Sequence, residues 1–127
     1  MNQRLHAPLV TFTIVILVIY VPFETWYSLP RLWDPFYLVD FIVMVLLGWG
    51  VVLCRRDPSR GLAVLATGYG WTGANFWRAL FGRVQAMAQG DVLRLGWAEM
   101  CFVACGTVVA LVGLAWSLRL ATRADRG

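Results

Sequence analysis

Residues 35–54 read PFYLVDFIVMVLLGWGVVLC. This stretch carries a single charged residue, Asp40, in twenty positions. At a helical rise of 1.5 Å per residue it extends about 30 Å, the thickness of a bilayer hydrocarbon core. Asp34 and Pro35 open it as an acidic N-cap followed by proline at the first helical position, where no backbone N–H is needed. Arg55 and Arg56 close it, and Asp57-Pro58 then repeats the opening signal. The segment therefore reads as a transmembrane helix with a second helix starting almost at once.

Working outward, PLVTFTIVILVIYVPF (8–23) is equally apolar and extends toward Tyr27. Pro22 sits late in it, where a proline kinks or ends a helix and frees the carbonyl one turn back, at Val18. No small-x-small cleavage site precedes Phe23-Glu24-Thr25-Trp26, so the segment reads as a retained helix rather than a signal peptide. Two further apolar stretches follow. The expected spans are about 8–27, 35–54, 58–82 and 95–119, with Asp91 as a candidate cap for the last. The expected fold is all-α: an integral membrane four-helix transmembrane bundle, with residues 1–127 as a single membrane domain.

Composition agrees. Of 127 residues, 60% are hydrophobic and 14% charged, with a mean hydropathy of +0.67. Soluble domains run at roughly 45–50% apolar and about 25% charged. These values exclude an ordinary soluble globule, a disordered tail and a nucleic-acid-binding domain. All 11 basic residues are arginine. Arg4, Arg55, Arg56, Arg60, Arg119, Arg123 and Arg126 fall on one side of the four expected spans, while Arg31, Arg83 and Arg94 fall in the first and third loops. The positive-inside rule then places both termini in the cytoplasm. Together with the short termini, the arginine usage suggests a bacterial inner membrane. Trp26, Tyr27, Trp33, Phe36 and Tyr37 crowd the first loop, with Trp97 at the same level and Trp116 near the other, as expected of an interfacial belt or of a lid over a ligand.

The polar residues of the spans gather at one depth. Glu24, Asp40, Asn75, Arg78 and Glu99 all fall in the outer part of their helices. A charge within a bilayer costs at least about 2.5–3.5 kcal/mol, so these groups should face one another or a wet cavity. Gly68, Trp71, Asn75, Arg78 and Gly82 recur at helical spacing, as do Glu99, Val103, Gly106, Ala110, Gly113 and Ser117. Asp40, Met44, Leu47 and Gly48 share a face of the second helix. Turning these faces inward brings Asp40 and Glu99 to Arg78, with Glu24 above. Three acids against one arginine favour a shared proton or a bound cation. The competing reading is structural: the acids lock the helices together and Arg78 snorkels to headgroups.

Other chemistry is sparse. Cys54, Cys101 and Cys105 suggest no disulfide framework. With His6 as the lone histidine, no metal site and no bis-histidine haem is expected. No nucleotide, zincin or nucleophile-elbow motif appears, and no cofactor is implied. The lead expectation is a lipid-embedded protein that binds a lipophilic ligand with a polar or cationic head. Glu24, Asp40 and Glu99 would supply charge, Asn75 and Arg78 would orient the ligand, and Trp26 and Trp71 would stack on it. A catalytic version is an isomerase-like proton transfer with one carboxyl as the acid. The alternatives are an accessory subunit of a larger membrane complex, packed through its small-residue stripe, and an oligomeric proton- or ion-coupled transporter.

Overall fold

The computed structural model describes residues 6–31 and 35–124. The expected Asp34 cap, Arg4, Arg126 and Trp33, and the side chains of Arg31 and Phe36, lie outside the described residues. The described residues are all-helical and form four α-helices: α1 (Ala7–Ser28), α2 (Pro35–Arg56), α3 (Pro58–Ala88) and α4 (Trp97–Ala124). A short 3-10 turn, Leu29–Arg31, follows α1.

Among the described residues, three helices are long and apolar enough to cross a membrane: Ala7–Ser28, Tyr37–Arg56 and Trp97–Arg123. The remaining expected span, α3, differs from them. It is the longest helix, at 31 residues or about 46 Å, and it carries Arg60, Asn75, Arg78, Arg83 and Gln85 along its length. Packing follows the sequence order. α3 lies against both α2 and α4, α1 lies against α2, and a thinner contact joins α1 to α4.

Local signals explain most boundaries. Asp57 caps α3: its carboxylate accepts from the Arg60 backbone N–H at 3.3 Å and from the Ser59 hydroxyl at 2.8 Å. These bonds stabilise the ionised form and hold the Asp57 carboxyl below the usual aspartate range, the Ser59 bond first. α1 continues through Pro22 to Ser28, so the proline does not end it. α3 runs past its expected end at Gly82 to Ala88 and stops at Gly90, which takes φ +85. There the Asp91 N–H bonds to the Ala86 carbonyl and the Gly90 N–H to that of Met87, the Schellman pattern. Asp91 does not cap α4, which begins six residues later at Trp97 after a second left-handed glycine, Gly96.

The apolar core sits toward the start of α1 and α3 and the end of α2 and α4. It joins Leu9, Val43, Leu47, Leu62, Leu65, Tyr69 and Leu120. Within it the Tyr69 hydroxyl pairs with that of Thr13 at 2.8 Å, and Thr13 also donates to the Leu9 carbonyl. Close helix approach rests on glycine, as expected where van der Waals packing drives association. A Cβ at Gly68 would stand 2.8 Å from Leu47, and one at Gly61 would meet the Cys54 backbone. On α4 the small-residue stripe is buried as read from the sequence. Gly106 receives the Phe76 ring of α3, and Gly113 receives the Tyr69 ring. On α2 the buried line passes through Val43, Leu47, Val51 and Cys54 rather than through Met44 and Gly48.

Candidate functional site

At the end opposite the core, the chain brings together the last turns of α1 and α3 and the first turns of α2 and α4. Side chains at three- and four-residue steps on α3 (Tyr69, Thr72, Phe76, Ala79 and Arg83) run along one face into this region. The last four line a cavity of about 90 Å³ with Tyr20, Phe23, Glu24, Tyr27, Asp40, Glu99 and Phe102. A wider cavity of about 690 Å³ shares Glu24, Asp40, Asn75, Arg83 and Glu99 and adds Ser28, Tyr37, Arg78 and Arg94.

One wall is a latch built on Glu99. Its Oε1 accepts from Arg83 Nε at 2.6 Å and from the Tyr27 hydroxyl at 3.0 Å. The Leu95 backbone N–H reaches Oε2 at 3.4 Å. Arg83 also donates to the Ala79 carbonyl at 3.2 Å. Arg94, in the segment between α3 and α4, donates to the Tyr27 carbonyl at 3.1 Å and lies over the Tyr27 ring at 5.2 Å. This latch ties α1, α3, α4 and the connecting segment together with charge-assisted bonds.

The facing wall is a carboxyl pair. Glu24 and Asp40 lie within hydrogen-bond reach of each other. The Tyr20 hydroxyl donates to Asp40 Oδ1 at 3.3 Å, and the Ser28 hydroxyl donates to Glu24 Oε1 at 3.2 Å. Between the walls stand aromatic rings. Phe23 and Phe102 are 4.1 Å apart at their centroids, with Phe76 6.1 Å from Phe102 and Tyr20 5.8 Å from Phe76. Asn75 lines both cavities, and its Nδ2 is buried without an acceptor among the described residues.

Of the residues singled out from sequence, Glu24, Asp40, Asn75 and Glu99 meet at the narrow cavity. Arg78 lies in the wider one. Trp26 and Trp71 are 54% and 46% exposed and line neither. Glu99 pairs with Arg83 rather than with Arg78. A span ending at Gly82 leaves Arg83 in the third loop, but α3 continues through it to Ala88. The aromatic lining of Tyr20, Phe23, Phe76 and Phe102 leaves little trace in the sequence. Its only signal is that Phe76 stands seven residues from the buried Tyr69, as Gly106 does from Gly113. The narrow cavity sets Glu24, Asp40 and Glu99 against Arg83 alone, and the wide one sets the same three acids against Arg78, Arg83 and Arg94.

Cys54 is buried, whereas Cys101 and Cys105 are exposed on α4, away from Glu99. Among the described residues no group of three His, Cys, Asp or Glu is placed to hold a metal ion. Compared with known proteins, the chain matches no family model, no curated protein and no solved structure.

Proposed function

We propose that the protein is a four-helix transmembrane bundle, both termini cytoplasmic, that binds an amphiphilic ligand with a cationic head in the outer leaflet. α3 joins the three apolar helices as the fourth span, with its polar face turned to the cavity and its last turns among the headgroups. Arg55, Arg56, Arg60, Arg119 and Arg123 cluster at the opposite end, which supports that orientation through the positive-inside rule. The observation that carries the reading is the Glu24–Asp40 carboxyl pair opening on a cavity walled by aromatic rings. Arg83 neutralises Glu99, so the negative charge left in the narrow cavity rests on this pair. An ammonium group satisfies it by charge and gains a further interaction from ring faces.

The small-residue stripe of α4 is occupied by Phe76 and Tyr69 of the same chain, so that surface is not offered to a partner subunit. The reading is tested by thermal melting in maltoside detergent with and without dodecylamine. The amine raises the melting temperature of wild type, and Asp40→Asn and Glu24→Gln abolish the rise. An equal rise in the amide variants, or none in wild type, overturns the reading.

A further inference from the structure

The narrow and wide cavities share Glu24, Asp40, Arg83 and Glu99, so they form one recess, and its lining carries both signs of charge. Glu24 and Asp40 line both parts, with aromatic rings beside them in the narrow one, and the wide part adds the guanidiniums of Arg78 and Arg94. A simple alkylamine answers the carboxyls and brings no anion to the guanidiniums. A simple anion meets the reverse problem at the carboxyl pair. A head with ammonium at its tip and an anion a few bonds behind it matches both signs.

Resting on the ligand-binding reading above, we infer that the ligand is a zwitterionic phosphorylated amine, the head of an aminophospholipid. The ammonium sits at Glu24 and Asp40, and the phosphate sits beside Arg78 and Arg94. The volumes agree. About 90 Å³ accommodates a small ammonium group, roughly three water volumes at ~30 Å³ each, and about 690 Å³ lies within the usual range of ligand sites, roughly 300–1,000 Å³. Arg94 spends one Nη1 bond on the Tyr27 carbonyl and keeps further donors in its fork for phosphate oxygens. Asn75 supplies an independent sign. Its buried Nδ2 lacks an acceptor among the described residues, and Asn75 lines both parts of the recess, where a phosphate ester oxygen supplies one.

The test titrates four probes into the full chain in maltoside: dihexanoyl-phosphatidylethanolamine, dihexanoyl-phosphatidylglycerol, dodecylamine and free phosphoethanolamine. The phosphatidylethanolamine is expected to bind about tenfold more tightly than either dodecylamine or the phosphatidylglycerol, as one charge-assisted contact provides. In folded Arg78→Gln/Arg94→Gln protein, checked by gel filtration, its advantage over dodecylamine falls to about twofold or less. Free phosphoethanolamine binding as tightly as the lipid supports the zwitterionic head and assigns it to a soluble source; weaker binding assigns it to the membrane. Dodecylamine equal to phosphatidylethanolamine in wild type overturns the zwitterion while leaving the amine reading intact. Tightest binding of the phosphatidylglycerol overturns it in favour of an anion site. Binding of none of the four overturns both readings.

Discussion

Glu99→Gln isolates the charge of the latch from its shape. Glutamine fills the same volume and keeps an oxygen for the Tyr27 hydroxyl, now 3.0 Å away. It leaves the Arg83 guanidinium, 2.6 Å from the carboxylate in wild type, without a counter-charge. The Glu99 side chain is 8% exposed and that of Arg83 23%, so the pair belongs with buried ion pairs, whose disruption from one side costs roughly 3–5 kcal/mol. Arg83 keeps its bond to the Ala79 carbonyl and some solvent contact, which favours the lower end, about 3 kcal/mol. Arg83→Met strands the more deeply buried carboxylate and should cost more, about 4 kcal/mol. Because the two residues interact directly, the double variant should cost about 2 kcal/mol less than the sum of the single changes. Unfolding in mixed maltoside and dodecyl sulfate micelles, followed by far-ultraviolet dichroism, measures all three. A cost for Glu99→Gln below about 1 kcal/mol, the range of exposed pairs, or strict additivity in the double variant, would refute the latch.

Glycine substitutions should split by environment in the same assay. Gly113→Ala drives a methyl into the buried Tyr69 ring and Gly106→Ala places one 2.7 Å from Phe76, for a loss of about 1–3 kcal/mol each. Gly48→Ala meets nothing within 4 Å and should be neutral or stabilising by up to about 1 kcal/mol. The Asp57 cap sets a pH dependence at the other end. Its folded carboxyl titrates below the unfolded value, so its contribution is complete above about pH 4 and fades as pH falls through the folded value. Wild type should therefore lose more stability between pH 5 and pH 3 than Asp57→Asn, which keeps a capping oxygen but does not titrate. Equal losses in the two would show that Asp57 plays no such part.

Much of this arrangement is legible in the chain itself, and particular residues show why the rest is not. The Asp57-Pro58 signal marks α3 to the residue, because a cap and an N1 proline act within one turn. The convergence of Glu24, Asp40, Asn75 and Glu99 follows from depth alone, since buried charge in an apolar helix has few places to go. The phase of α3 is harder to read. Between its polar residues, Trp71 and Phe76 are equally suited to the inside, and the shape of α4, with Gly106 open to a ring, selects Phe76. The place of Arg83 is hard to read because α3 passes through Gly82 and stops only at the left-handed Gly90.

The central claim is that the Glu24–Asp40 pair is a ligand site for an organic cation. Isothermal titration of dodecylamine into the full chain in maltoside, with Asp40→Asn in parallel, tests it most directly. The account predicts saturable binding to wild type at one ligand per chain and its loss in a folded Asp40→Asn variant. Saturable binding that persists unchanged in Asp40→Asn, or uptake in wild type that never saturates, would contradict it.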